Sequence, residues 1–225
     1  MIVTSRRGFS GLLAAGIAMA TVFSPAILAS RAAAQILQPA VKMDFSALAQ
    51  ELRKGGHVIL VRHGATFSNQ ADTDPFNLAD VSKQRNLNDK GKELARAFGA
   101  AIRSAGVPIG KAYTSQFNRA YETAVLAGFA GIEKTADLSE GGLVVTPDEN
   151  NRRAQALRDM LGRAPETAKN NIMITHKPNI VDALGKDWFD VNEGEASIFK
   201  PEGGKYRLVA RVQMADWPAI ATAVK

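Results

Sequence analysis

The sequence predicts an α/β protein whose largely parallel sheet is covered by helices on both faces. Three observations lead there. Strand-like runs alternate with segments of helical spacing along the chain. Two of the runs, Val58-Ile59-Leu60-Val61 and Ile172-Met173-Ile174, are apolar throughout, as strands buried on both faces are. Each of the two leads to a histidine, His63 and His176, at the carboxyl edge where open α/β sheets hold their ligands.

The elements follow in order. Asp44 can cap a helix carrying Phe45, Leu48, Ala49 and Leu52, which Gly55-Gly56 stops. The first strand then delivers Arg62, His63 and Gly64. Residues 66–88 are polar, hold Pro75 and several Asp and Asn, and read as a long loop of the functional kind. Asn88 caps a second helix, with Leu94, Phe98, Ala101 and Ile102 at helical spacing, ending near Gly106. A strand over 111–115, a helix over 118–128 and a short strand over 132–135 come next. Residues 139–151 read as a Gly/Pro-punctuated loop, 152–161 as a helix, 171–176 as the second buried strand and 178–184 as a short helix. Two runs, 196–201 and 206–213, form a hairpin turning at Gly203-Gly204, and a last helix begins near Asp216 with Pro218 in its first turn. No internal repeat or low-complexity tract interrupts 35–225, so one domain is expected.

Residues 1–34 read as an export signal. Ser5-Arg6-Arg7-Gly8-Phe9 precedes an apolar run from about Leu12 to Leu28, and Ala32-Ala33-Ala34 offers small residues for cleavage. The paired arginines resemble a bacterial twin-arginine signal. Ser24-Pro25 and abundant Ala and Gly make the run weakly apolar for a stable membrane span. The expectation is a periplasmic protein, cleaved near Ala34, with the export machinery as a transient partner.

Composition narrows the function. The net charge of +6 includes Arg6, Arg7 and Arg31 of the signal, so the remainder carries only +3. That surplus, without a basic run interleaved with aromatics, argues against nucleic-acid binding. The absence of cysteine removes disulfides, thiolate nucleophiles and Cys-based metal sites.

What remains is an anion site. Two strand ends supply imidazoles, and Arg62 stands beside the first of them. Arg119 falls in the first turn of the 118–128 helix, where free N–H groups and the helix dipole favour an anion. Two imidazoles and two guanidiniums converging there make a pocket suited to phosphate.

These residues resemble the histidine phosphatase superfamily, which includes phosphoglycerate mutase-like enzymes. The resemblance rests on Arg62-His63-Gly64, Ser115-x-x-x-Arg119-Ala120-x-x-Thr123-Ala124, Thr175-His176, Asn69 six residues after His63, and Gln84-Arg85-Asn86-Leu87-Asn88-x-x-Gly91. It runs from about Gly56 to the C-terminus and implies a three-layer α/β/α sandwich with a mostly parallel central sheet. It also implies a metal-independent, cofactor-free phosphomonoester hydrolase acting on a small phosphorylated substrate. His63 would form a phosphohistidine, held by Arg62, Arg119 and His176. Asn69, Arg85 and Glu195 are candidate substrate contacts. Glu140 is the first candidate for the proton donor, followed by Glu195 and then Asp72 or Asp74. His57 reads as structural. Lys177 departs from the acidic residue of the acid-phosphatase and phytase branch and leaves a cation at the pocket mouth. Two other readings stay open: a non-catalytic phosphate or phosphosugar-binding module, and a phosphomutase. Three histidines without a His-x-x-x-His helix give a metal-dependent hydrolase little support.

Overall fold

Asp44, Asn88 and Thr146 each close the start of a helix in the computed structural model, which describes residues 44–141 and 145–223. The described elements are α1 (Phe45–Arg53), β1 (Val58–Arg62), α2 (Asp89–Ser104), β2 (Ile109–Ser115), α3 (Asn118–Ala127), β3 (Ile132–Thr135), α4 (Pro147–Gly162), β4 (Asn170–Thr175), α5 (Lys177–Leu184), β5 (Glu195–Glu202), β6 (Lys205–Gln213) and α6 (Trp217–Thr222), with single 3-10 turns between some of them. The export signal and cleavage site expected over residues 1–34 lie outside the described residues. Among the described residues no helix is long and apolar enough to cross a membrane.

Six strands form one sheet in the order β3-β2-β4-β1-β5-β6. The pairs β3–β2, β2–β4 and β4–β1 are parallel, while β1–β5 and β5–β6 are antiparallel. Alternation along each strand splits the core in two. Ile59, Val61, Ile172, Ile174 and Ile198 pack with residues of α1, α2, α3 and α6. Val58, Leu60, Met173 and Phe199 pack on the other face with residues of α4 and α5. A strand with an apolar layer on each side needs apolar residues at every position, which explains the two unbroken runs. The hairpin turns where expected, with Gly203 and Gly204 at φ of +60° and +79°, the left-handed pair a two-residue turn requires.

Most boundaries fall within two residues of expectation, and the start of α4 lies five residues early. The helix expected over 152–161 begins at Pro147, inside the segment read as loop. Thr146 Oγ1 accepts from the Glu149 N–H at 3.2 Å, and Pro147 occupies the first turn. Thr146-x-x-Glu149 is a capping-box pattern, and it outweighs the polar composition of the segment. The long loop stands as expected, with one 3-10 turn (Val81–Lys83) and a single bridge between Thr66 and Leu87.

The register of β1 with β4 positions the chemistry. Arg62 pairs with Thr175, and the His63 N–H donates to the Thr175 carbonyl at 3.0 Å. His63 and His176 therefore leave the sheet on adjacent strands. The start of α2 packs close behind: a Cβ at Gly91 would lie 2.1 Å from the Ala65 carbonyl oxygen. Gly91→Ala must push the helix or the His63-Gly64-Ala65 turn outward. We expect a loss of about 1–3 kcal/mol, read as a lower urea midpoint at unchanged slope.

Candidate active site

Adjacent parallel strands lie about 4.8 Å apart, and the rings of His63 and His176 keep nearly that separation, with centroids 5.2 Å apart and planes at 57°. Both side chains are buried. His63 Nδ1 lies 2.8 Å from the Gly64 carbonyl oxygen. A carbonyl can only accept, so Nδ1 carries the proton and Nε2 the lone pair. The Gly64 N–H donates to Thr123 Oγ1, which itself donates to the Arg119 carbonyl, tying the end of β1 to α3.

Arg119, the second residue of α3, is fully buried. Its Nε donates to His176 Nδ1 at 3.3 Å, and its Nη1 donates to Asp72 Oδ1 at 3.0 Å and to the Arg85 carbonyl at 3.4 Å. Its Nη2 pairs with Glu140 Oε1, and that same oxygen lies 3.4 Å from His176 Nδ1. The Phe117 ring sits 4.5 Å from the guanidinium carbon and meets the His176 ring edge-on at 5.2 Å, supporting both. Arg62 donates through Nη1 to the Val191 carbonyl at 2.8 Å and faces Glu193 at 3.6 Å, while its buried Nε has no hydrogen-bond partner.

Burial pushes the pKa of both imidazoles well below the usual histidine range, and the nearby Arg119 charge pushes in the same direction. The Arg62 and Arg85 charges act likewise on both rings. His63 is therefore held neutral, with a free lone pair among cations.

The expected site residues divide into two groups. His63, His176, Arg62, Arg119 and Glu140 come together, and Arg85 joins them through its backbone and its charge. Asp72, third among the donor candidates, reaches Arg119 and also accepts from the Arg85 N–H at 2.9 Å. Asn69 is exposed on the loop and makes no hydrogen bond with the cluster. Glu195 was expected at the substrate, but its buried carboxylate accepts from Arg211, from Gln213 Nε2 and from the Asn192 N–H. Those partners tie β5 to β6, so Glu195 reaches the cluster only as a charge felt by Arg62. Asp74 turns the loop backbone, its carbonyl accepting from the Asn77 N–H. His57 is buried, as a structural residue is, with Nε2 3.6 Å from Glu51. Sequence reasoning gave no role to Ser115, Ser139, Phe117 or Glu193. Ser115 was visible as the first residue of its motif, whereas nothing in the sequence marked Glu193, which holds Thr66 and Arg62 together.

Two buried imidazoles and two guanidiniums gathered at the carboxyl edge of a mostly parallel sheet define an α/β protein with a cationic pocket suited to an anion. Residues 58–171, just over half of the chain, match the family model "Histidine phosphatase superfamily (branch 1)", and the chain belongs to that superfamily. Membership supports a phosphatase-type activity. The protein histidine phosphatase SixA, solved with tungstate, aligns at 18% identity over 71% of this chain and 98% of its own, with a TM-score of 0.50. A phosphoserine phosphatase variant from Entamoeba histolytica, solved with phosphoserine, aligns at 16% identity over 70% of this chain and 97% of its own, with a TM-score of 0.49. At 18% identity the likeness to SixA concerns the fold alone. No curated protein matches the chain.

The depressed histidines have a consequence for stability. Kept neutral in the folded state, His63 and His176 protonate readily in the unfolded chain below pH 6.5, their ordinary value. The unfolded state then binds more protons, so stability falls as pH drops through that range. Urea midpoints should decline between about pH 7.5 and about pH 5. The decline should flatten in a His63→Gln, His176→Gln double variant.

Proposed function

We propose that this chain hydrolyses phosphomonoesters through a phosphohistidine formed at His63 Nε2. The observation that carries the reading is a neutral imidazole 5.2 Å from a second one, with the buried Arg119 beside it. Arg62 adds a buried Nε–H that lacks a partner, a donor that a phosphoryl oxygen would satisfy. The lone pair of Nε2 attacks phosphorus in line. The P–N bond forms as the ester P–O bond breaks, while Arg62 and Arg119 donate to the phosphoryl oxygens and His176 stands against Arg119. Glu140 passes a proton to the leaving alkoxide, and a water then attacks the phosphohistidine, giving its proton back to Glu140 as the P–N bond breaks and phosphate leaves. No step in this reading requires a metal ion. With residues 1–34 read as an export signal, the substrates are small phosphorylated metabolites or envelope sugars of the periplasm.

One observation favours a second reading. Glu140 is ion-paired with Arg119 and close to His176. A carboxylate held by Arg119 in this way is not free to reach a leaving group, and the pocket would then bind phosphate without turnover.

Hydrolysis of p-nitrophenyl phosphate decides between them. The proposed enzyme turns it over in the presence of chelator, and His63→Ala lowers kcat by about a thousandfold or more. Phosphate binding without turnover or acid-labile labelling would establish the binding module instead. Glu140→Gln should slow the hydrolysis of alkyl phosphates far more than that of p-nitrophenyl phosphate, whose leaving group needs no proton. Equal slowing would remove Glu140 from the role of donor.

A further inference from the structure

His176 is held from both of its nitrogens, and the two contacts agree on where its proton sits. On the side facing the cations, Arg119 Nε–H donates to Nδ1 at 3.3 Å. A guanidinium can only donate, so Nδ1 presents a lone pair. On the other side, Nε2 lies 2.7 Å from Ser115 Oγ. A hydroxyl there could donate or accept, and its own contacts decide which.

Ser139 Oγ lies 3.2 Å from the Thr135 carbonyl oxygen, which can only accept, so the Ser139 proton is committed to it. Ser139 Oγ also receives the Gln116 N–H at 3.0 Å. The Ser115–Ser139 contact of 3.1 Å therefore has Ser115 as donor. Ser115 Oγ already accepts from the Phe117 N–H at 3.1 Å. With its one proton spent on Ser139, Ser115 can meet His176 only as an acceptor. Each hydroxyl then makes one donated and two accepted bonds, its full capacity.

We infer that Ser115 and Ser139 form a polarised hydroxyl chain, anchored on the Thr135 carbonyl, that locks His176 as the Nε2–H tautomer and makes them positioning residues of the site. Both serines are buried, so water does not compete for these bonds. The chain leaves Nδ1 as the one nitrogen at which His176 can gain a proton, beside Glu140 Oε1 at 3.4 Å. Ser139 is also the residue immediately before Glu140, and Arg153 Nη1 donates to its carbonyl at 3.2 Å. One residue thus fixes the imidazole tautomer and anchors the segment bearing the carboxylate. His63 has the opposite tautomer, with its proton on Nδ1. The two rings are set to different tasks.

The kinetic part of this inference rests on the phosphatase reading, while the tautomer does not. Nitrogen-15 NMR of histidine-labelled protein, assigned with single-histidine variants, reads it directly. We expect His176 Nε2 in the protonated range and Nδ1 in the unprotonated range. Ser139→Ala frees the Ser115 hydroxyl to donate to Nε2. His176 should then shift toward the Nδ1–H form, and kcat should fall about tenfold, as when a partner orienting a functional imidazole is lost. Ser139→Thr keeps the hydroxyl and should restore both readouts. A wild-type His176 protonated on Nδ1 overturns the inference, even if Ser139→Ala fails to fold. So does a Ser139→Ala protein that keeps the wild-type tautomer and rate. Absence of turnover in the wild type would overturn the phosphatase reading alone.

Discussion

The parallel pairing of β1 with β4 carries everything else at this site. Arg62 stands opposite Thr175, and the next residue on each strand is a histidine. Strand spacing alone then brings two imidazoles within reach of one tetrahedral group. No loop has to adopt a particular conformation for this to hold. Because both strands are covered on both faces, a slip of one residue would turn apolar side chains from one layer into the other. That cost makes the register, and with it the distance between the histidines, stiff. The flanking strand β2 ends in Ser115 beside the same edge and adds the contact behind His176.

Charge is arranged differently from geometry. The cations sit on rigid elements, Arg62 at the end of β1 and Arg119 in α3, whereas the carboxylates Asp72 and Glu140 come from connecting segments. A buried guanidinium without a counter-charge is strongly unfavourable, and these two acids supply it. Asp72 also accepts from the Arg85 N–H and so holds the long loop against Arg119. One carboxylate thus ties the buried Arg119 to the backbone of the long loop.

Legibility in the sequence followed this division. The unbroken apolar runs exposed the buried strands because short, β-branched-rich runs that are apolar at every position suit strands covered on both faces, and His63 and His176 came with them. The capping-box start of α4 was present in Thr146-x-x-Glu149 but was masked by the polar, Pro-containing stretch around it. Glu195 was misread for a physical reason. Its partners Arg211 and Gln213 lie on the neighbouring strand of a hairpin, and an antiparallel register decides which acid meets which base. Asp72 could be proposed from its loop, but no local pattern says that it reaches Arg119, 47 residues on. Contacts fixed by strand composition can be read from the chain. Contacts made by loops across the sheet edge cannot.

Two backbone carbonyls complete the logic of the site. Gly64 accepts from His63 Nδ1, and Thr135, through two serines, sets the orientation at His176 Nε2. Neither oxygen can donate, so neither imidazole can flip its proton without losing a buried hydrogen bond. A pair of chemically identical rings is made unequal in this way. His63 exposes the lone pair of its far nitrogen, suited to attack, and His176 exposes its near nitrogen to Arg119 and Glu140. Burial depresses both pKa values in the same direction and so cannot distinguish them. The distinction between the two histidines comes from hydrogen-bond direction, set by the backbone.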